Sequence, residues 1–310
     1  MQPIIRLFGP AVPFSVLIFL CLLRLTVQCT ERDPRRFVTN ASTQAVSMTV
    51  DGKTCWTYVP QSDEGKPFFH PLAIPGTGEI LTSFRPPDHT WHLGFWFSWK
   101  FINGVNFWEP DSNGVTRVIS QTVTPASDME FTADCMLVYL AKGQEAVREK
   151  RTVHVTTLPN GNYTINWDST FTARDTAAAF SSTPVKKDSQ GNWATGGYAG
   201  LMLRLADSPA FTYAFKNAAG QSDVKTCGEA SDRLEIVATA QASGTRARIT
   251  FRDHPENPRY PAPWFARHSV TAQHGRGYYL IGPSPTFHEP FTLLPGKSAR
   301  FRYTVTVERL

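Results

Sequence analysis

Alternation of apolar and polar residues dominates the chain from about residue 115 to the C-terminus. Apolar side chains recur at every second position in short runs, which is typical of antiparallel strands with one buried face. The run 299–307 alternates most clearly. Two other runs, 152–157 and 163–167, flank Asn160-Gly161, a dipeptide that favours a hairpin because both residues tolerate positive φ. The pattern predicts an all-β protein.

Further alternating runs cover most of the remaining sequence. We expect strands near residues 130–140, 200–205, 210–216, 233–241, 245–252 and 277–282. Roughly 12 to 16 short strands without a convincing linker favour one large antiparallel β-sandwich over two small domains. Residues 31–310 are therefore expected to form a single domain.

The first 30 residues have the layout of a signal peptide. Arg6 precedes an apolar stretch at 11–23, and a short run leads to Cys29. This stretch is shorter than the about 20 residues that cross a bilayer. We therefore predict that residues 1–30 direct export to the periplasm or the extracellular space. Gln28 is bulky and occupies the position where a small residue normally precedes a lipid-modified cysteine, so the lipidation signal at Cys29 is poor. An N-terminal lipid anchor nevertheless stays an open alternative.

Composition and charge exclude several classes of protein. Of the 310 residues, 41% are hydrophobic and 18% are charged, a balance typical of a globular protein. The formal net charge is +5, without a run of Lys or Arg longer than a pair, so nucleic acid is not an expected partner. After residue 30 no apolar stretch approaches the length of a membrane span. Cys55, Cys135 and Cys227 form no disulfide framework or metal motif, although a single bridge stays open.

Histidine and tryptophan concentrate between residues 70 and 108, which contain three of the eight His and four of the eight Trp. The run 91–99 predicts a strand with two distinct faces. The face expected to point to the core carries Trp91, Leu93, Phe95, Phe97 and Trp99. The face expected to form the floor of a site carries His92, Gly94, Trp96 and Ser98. The Trp96 indole would suit the apolar face of a sugar ring, although aromatic strands more often build a core.

The segment Asp88 to His92 carries the most reactive motif. Pro86-Pro87 prevents regular strand pairing just before it, so Asp88 and His89 are expected on a bend at a strand entrance. Histidine with a neighbouring carboxylate suits general acid–base catalysis or hydrogen bonding to substrate hydroxyls. A divalent metal held by His89 and His92 is a second alternative, which requires a turn that brings both rings to one side. A structural role is the third.

Other candidates lie on loops. Prolines fix the loop 252–259, and we expect its Asp253 and His254 to close the opposite wall of the site. The alternative is a rigid turn in which Asp253 and Asn257 cap backbone N–H groups. The chain has neither a P-loop nor a G-x-S-x-G elbow, so phosphate cradling and serine hydrolysis of those types are excluded. The expected substrate-binding residues are His70, Arg85, Trp96, Asn106, Trp108, Tyr198, Asn257 and His288.

Five segments in this order resemble motifs of a known family. They are 67–71 (PFFHP), 85–94 (RPPDHTWHLG), 103–108 (NGVNFW), 196–201 (GGYAGL) and 253–264 (DHPENPRYPAPW). The resemblance is to bacterial exported proteins labelled methane oxygenase PmoA-like, a domain of unknown function. It implies a β-supersandwich similar to galactose mutarotases and related polysaccharide-active proteins, which bind sugars on a concave sheet face. The oxygenase activity in the label is not expected, because it requires several transmembrane helices.

The leading hypothesis is an exported carbohydrate-active protein, mutarotase-like or otherwise sugar-modifying. In it His89 and His92 act as acid, base or hydrogen-bond donors, Asp88 orients His89, and Trp96 or Trp108 stacks on the sugar. The alternative is a non-catalytic carbohydrate-binding or interaction module of the cell envelope, and the third hypothesis is a His/Asp metalloprotein. No resident cofactor is predicted. The sequence decides neither whether the protein is an enzyme nor its oligomeric state.

Overall fold

A computed structural model describes Asp33 and residues 35–125, 127–207, 209–269 and 277–310. The targeting segment predicted for residues 1–30 lies outside these described residues. Within them the chain forms 22 strands and one short 3-10 helix, at Asp223–Thr226. This described part of the chain contains no helix with the length and hydropathy needed to span a membrane.

Two antiparallel sheets of eight strands each carry the fold. Sheet 1 consists, in spatial order, of β1 (Arg35–Thr39), β2 (Val46–Val50), β3 (Lys53–Val59), β4 (Phe68–Leu72), β5 (Phe95–Ser98), β15 (Gly200–Arg204), β20 (Tyr278–Pro283) and β19 (Trp264–Ser269). Sheet 2 consists of β16 (Phe211–Asn217), β17 (Arg233–Ala240), β18 (Arg246–Asp253), β22 (Ser298–Arg309), β11 (Tyr163–Ala173), β10 (Gln144–Thr157), β9 (Glu130–Ala141) and β8 (Gly114–Pro125).

Two smaller sheets complete the described structure. One contains β21 (Phe291–Leu293), β12 (Ala178–Ser181), β6 (Phe101–Ile102) and β7 (Val105–Asn106). The other is a hairpin of β13 (Lys186–Lys187) and β14 (Trp193–Thr195).

An aromatic core joins the two large sheets face to face. Phe95 of sheet 1 lies 5.7 Å from Trp167 and 5.9 Å from Phe251 of sheet 2, measured between ring centroids. The Trp56 Nε1–H donates to Thr157 Oγ1 across the same interface, at 2.9 Å. Burial of apolar area between the sheets supplies the main stabilisation. The predicted large antiparallel β-sandwich is confirmed.

The hairpin predicted around Asn160-Gly161 is confirmed. Val153 pairs with Trp167 and Val155 with Ile165, in the register that puts these side chains on the buried face. Gly161 has a φ of +84°, a conformation that costs glycine little because it has no Cβ.

The strand predicted at 91–99 is wrong at its start. The observed strand is Phe95–Ser98, and Gly94 before it has a φ of +79°. A Cβ on Gly94 would lie 2.6 Å from the Phe69 carbonyl oxygen, so the chain breaks its extended conformation at the one residue that fits there. Trp91 and His92 therefore belong to a turn and not to strand faces.

The three cysteines of the described chain are buried and unbridged. Burial raises the pKa of the Cys135 thiol to about 11 and also raises the pKa values of Cys55 and Cys227. Because the thiolate is the reactive form, these cysteines are inert core residues.

Candidate functional site

Seven side chains form one contact cluster on the face of sheet 1 that points away from sheet 2. We call it the outer-face cluster, and its members are Asp88, His89, His92, Trp96, Trp108, Arg204 and Tyr278. Trp96 lies on this face because it alternates with Phe95 and Phe97, whose rings contact sheet 2. The structure thus brings together five residues proposed from the sequence and adds Arg204 and Tyr278.

A tight turn after Pro86-Pro87 places the two histidines side by side. The His89 N–H donates to the Pro86 carbonyl oxygen at 2.9 Å, and the His92 N–H donates to the His89 carbonyl oxygen at 3.0 Å. The imidazole rings stack at 4.6 Å with an interplanar angle of 17°. The expected bend exists, and it puts His89 and His92 on one side of the turn.

Asp88 orients His89. Its Oδ2 lies 2.9 Å from His89 Nδ1 and 3.0 Å from Arg204 Nη2. Burial tends to raise the pKa of Asp88, but the hydrogen bond with His89 and the Arg204 charge lower it below its usual value. Asp88 is therefore a carboxylate at neutral pH, and it holds the Nδ1 proton of His89. This arrangement leaves Nε2 as the basic nitrogen on a side chain that is 35% exposed.

His92 is buried beneath His89 and stays neutral. Its exposed fraction is 1%, and burial, assisted by the charges of His89, Arg204 and Lys66, moves its pKa well below the usual value. His92 Nδ1 has no hydrogen-bond partner among the described residues. A buried polar atom of this kind normally binds a ligand or an ordered water.

Aromatic rings surround His92. Its ring centroid lies 5.1 Å from that of Trp96 and 6.1 Å from that of Trp108. Trp96 and Trp108 contact each other at 5.4 Å. Next to them the Arg204 guanidinium lies 4.0 Å above the centre of the Tyr278 ring. The cluster thus combines polar groups with apolar ring faces, the combination expected of a small-molecule site.

Asn106 and Tyr198 support Trp108. Asn106 Oδ1 accepts a hydrogen bond from the Trp108 N–H at 3.0 Å. Tyr198 packs on the Trp108 ring at 5.1 Å, and its hydroxyl group donates to Glu109 Oε1 at 3.4 Å. Both predicted residues lie beside the cluster and fix the orientation of its outer indole.

Lys66 is a further buried cation of this region that the sequence did not suggest. Its Nζ donates to the Trp108 carbonyl oxygen at 3.1 Å, and burial lowers its pKa to about 8. Arg204, by contrast, leaves a signal in the sequence. It ends the run Gly200–Arg204, whose other residues are Gly, Leu and Met and which is buried throughout. A charged residue that closes a buried strand requires specific partners.

Arg204 finds these partners in two acidic residues. Its Nη2 donates to Asp88 Oδ2 at 3.0 Å and to Asp207 Oδ1 at 3.1 Å, while the side chain is 1% exposed. The guanidinium therefore links the turn that carries the histidines to strand β15.

His70 and Arg85 flank the cluster. Phe68 pairs with Trp96, which puts His70, two residues further on, on the same outer face of sheet 1. His70 Nδ1 lies 2.9 Å from Thr82 Oγ1, and burial lowers the pKa of the imidazole to about 4. Arg85 forms an ion pair with Glu64, with 2.8 Å between Nη1 and Oε1.

The low pKa of His70 predicts a loss of stability in acid. Unfolding returns the imidazole to an ordinary pKa near 6.5, so the unfolded chain binds the proton more tightly than the folded protein. The stabilisation from neutral His70 is complete above pH 6.5 and is lost as the pH falls toward 4. In urea titrations, we expect the difference in unfolding free energy between the wild type and His70→Gln to fall by about 3 kcal/mol from pH 7 to pH 4.

The variant serves as the control, because all other titrating groups are shared and cancel in the difference. A difference that stays constant over this pH range would contradict the low pKa.

The loop that carries Asp253, His254 and Asn257 is held by hydrogen bonds within itself and to the backbone of Arg302. Asp253 accepts hydrogen bonds from Asn257 Nδ2 at 2.7 Å and from the Ala262 N–H at 2.8 Å, and burial raises its pKa to about 6. Asn257 also bonds the Arg302 backbone. Among the described contacts none joins Asp253 or His254 to the outer-face cluster. Their role as the opposite wall of the site stays a sequence prediction, while the alternative of a rigid turn has the hydrogen bonds of Asp253 in its favour.

His288 also lies apart from the cluster. Its Nε2 bonds the Gly228 carbonyl oxygen at 2.8 Å, and its ring contacts Trp193 and Phe287. These contacts hold a loop. A substrate-binding role for His288 stays a sequence prediction.

A metal centre requires several ligands from His, Cys, Asp or Glu side chains at one point. No group of three or more His, Cys, Asp or Glu arranged to hold a metal ion occurs in the described ranges. A metal held by His89 and His92 therefore stays a sequence prediction.

Comparisons with known proteins place the chain in a family without assigning it an activity. The model of a family described as "Family of unknown function (DUF6807)" matches residues 45–309. The resemblance to the methane oxygenase PmoA-like family is therefore wrong, since the matching family is a different one. No curated protein matches the chain.

Three solved structures have low similarity to this fold. A GH36 α-galactosidase from Geobacillus stearothermophilus has 12% identity and a TM-score of 0.41, with 83% of this chain and 39% of the galactosidase covered. A GalM/aldose epimerase homologue from C. elegans has 10% identity and a TM-score of 0.32, covering 89% and 99% of the two chains. A galactose mutarotase related enzyme from Lactobacillus acidophilus has 9% identity and a TM-score of 0.25, covering 88% and 97%. Similarity at this level carries no conclusion about substrate or activity.

Proposed function

The chain belongs to the family of unknown function DUF6807, and we propose that it is a carbohydrate-active protein whose His89–Asp88 pair performs acid–base chemistry on a sugar. The observation that carries this proposal is the partly exposed, carboxylate-oriented His89 stacked on the buried, neutral His92. An imidazole oriented by a carboxylate has the geometry of a general acid–base group.

The rings next to the two histidines support a sugar as the ligand. Trp96 and Trp108 border His92, and Trp91 lies 5.3 Å from His89 between ring centroids. Aromatic faces suit the C–H groups of a pyranose, and polar side chains suit its oxygen atoms. The partly exposed Trp91 and His89 are the groups that a sugar meets first, because Trp96, Trp108, His92 and Arg204 are at most 2% exposed.

A mutarotase-like reaction would use these groups in one sequence. His89 Nε2 accepts the proton of the anomeric hydroxyl while the bond from the anomeric carbon to the ring oxygen breaks. Neutral His92 donates a hydrogen bond to the ring oxygen, where negative charge develops. The proton then passes from the His89 imidazolium to that oxygen, and the reverse steps close the ring with either configuration.

Sugar binding is expected to raise the melting temperature of the purified protein. A ligand at 100 times its dissociation constant adds about 2.7 kcal/mol to the unfolding free energy, which corresponds to a shift of about 5–10 °C for a chain of this size. Thermal unfolding against a panel of monosaccharides and oligosaccharides measures this shift.

Two outcomes separate the functions. A selective shift, followed by faster approach to anomeric equilibrium in polarimetry, would support a catalytic protein. A shift without any turnover would identify a carbohydrate-binding module, and no shift with any sugar would contradict the proposal.

A further inference from the structure

The unsatisfied polar atoms of the site share one chemical property. Buried atoms without a partner among the described residues include Nε1 of Trp91 and Trp96, and Nε and Nη1 of Arg204. All of these are N–H donors, and neither an indole nor a guanidinium can accept a hydrogen bond. His92 Nδ1, the fifth such atom, becomes a donor in one tautomer.

These donors belong to one contact cluster. The Trp91 and His92 ring centroids are 6.2 Å apart, and those of His92 and Trp96 are 5.1 Å apart. Arg204 is connected to His92 by Tyr278. The Arg204 guanidinium lies over the Tyr278 ring, and that ring lies 6.3 Å from the His92 ring. Trp96 and Arg204 also lie on the same face of sheet 1, because Met202, two residues before Arg204, pairs with Trp96, so the outer face is rich in donors.

The carboxylate acceptors in the cluster already have partners, which leaves His89 Nε2 as the one acceptor, and the proposed reaction uses it. The carboxylates of Asp88 and Asp207 bind Arg204 Nη2, and Asp88 also holds His89. A sugar hydroxyl that accepts from one of the free donors would bring its own proton, which then needs an acceptor in turn. A carboxylate has acceptor oxygens and no O–H proton. It therefore satisfies the donors without adding a proton that needs its own acceptor.

The charges around the site allow such a group to be an anion. Arg204 and Lys66 supply two positive charges, and Asp88 and Asp207 supply two negative ones. A single ligand carboxylate therefore enters a region that carries no excess of negative charge. It also meets buried N–H groups, which bind ionised acceptors more strongly than neutral ones.

From this donor set we infer that the sugar bound by the outer-face cluster is a hexuronate, whose carboxylate is received by the N–H groups of Trp96 and Arg204. This inference rests on the proposed carbohydrate function and specifies its substrate class.

Matched sugar pairs test the inference directly. D-galacturonate and D-galactose differ only at C6, as do D-glucuronate and D-glucose. Isothermal titration calorimetry on the purified protein is expected to give, for at least one pair, a dissociation constant at least 10-fold lower for the uronate.

Two tryptophan variants then locate the interaction. Trp96→Phe removes one N–H donor while keeping an aromatic ring, and we expect the uronate preference to fall about 3- to 10-fold. Trp99→Phe is the matched control. Trp99 Nε1 is likewise buried without a described partner, but its ring packs on the other face of the sheet, 4.6 Å from Phe180 and 5.3 Å from Phe171.

Each result bears on the inference. Equal affinity for uronates and hexoses would overturn it and leave the proposed function standing. No binding of any of the four sugars would overturn the inference, and it would overturn the proposed function too only if the whole thermal-unfolding panel also gave no shift. Equal loss of preference in Trp96→Phe and Trp99→Phe would show that the indole N–H of Trp96 does not select the carboxylate.

Discussion

His89→Gln is expected to lower kcat for the sugar identified by thermal unfolding at least 100-fold, with little change in melting temperature. Glutamine fills a similar volume and hydrogen-bonds Asp88, but it cannot take up a proton near neutral pH, and loss of a general base typically costs 10²- to 10⁴-fold. His89 is 35% exposed, so its removal leaves the core intact. Polarimetry of the anomeric equilibration and thermal unfolding of the same samples measure both quantities.

His154→Gln is the matched control for this experiment. His154 is a partly buried histidine on β10, on the face of sheet 2 opposite to that of Val153 and Val155, which are core residues. It should turn over sugar like the wild type. If His89→Gln kept its rate within twofold but melted at a markedly lower temperature, His89 would be a structural residue.

Arg151→Met is expected to cause the largest loss of stability, about 3–5 kcal/mol in the free energy of unfolding. Arg151 and Glu149 are 1% and 0% exposed and form a two-pronged ion pair, with 2.6 Å from Nε to Oε1 and 2.8 Å from Nη2 to Oε2. Glu149 also accepts hydrogen bonds from Tyr139 at 2.7 Å and from Ser169 at 2.6 Å. Removing the cation leaves a carboxylate buried without its counter-charge, and urea titration at pH 7 measures the cost.

Arg148→Met provides the comparison on the same strand. Arg148 pairs with Glu145 at 2.8 Å, but its side chain is 39% exposed, and a solvated pair contributes about 1 kcal/mol or less. The double variant Glu149→Gln/Arg151→Met should be more stable than Arg151→Met alone, because no uncompensated charge remains. Similar losses for Arg148→Met and Arg151→Met would show that burial of the pair is not the cause.

Much of the architecture could be predicted because period two is a local property of a strand. The alternation at 299–307 and at 152–157 identified both the strands and their buried faces, as the pairing of Val153 with Trp167 shows. Pro86-Pro87 likewise identified the bend before the histidines. The prediction was wrong at Trp91, where an aromatic residue that fits the alternation lies in a turn set by the positive φ of Gly94.

The composition of the candidate site could be predicted only in part. Asp88, His89, His92 and Trp96 lie within nine residues of each other, so their proximity follows from the chain itself. The loop around Asp253 carries the same residue types, yet its hydrogen bonds run within the loop and to Arg302 of β22. Residue type alone does not show whether two polar loops of a sandwich meet.

The sequence by itself determined the all-β class, the two faces of most strands and the bend at Asp88 and His89, since each depends on neighbours within a few positions. The tertiary structure decided that Arg204 reaches Asp88 across 116 residues, and that Tyr278 lies beneath that guanidinium. These contacts depend on the register between strands, in which Leu203 pairs with Phe95 on one side and with Ile281 on the other. Alternation leaves that register open, because it fixes which face a side chain occupies but not which distant strand lies beside it.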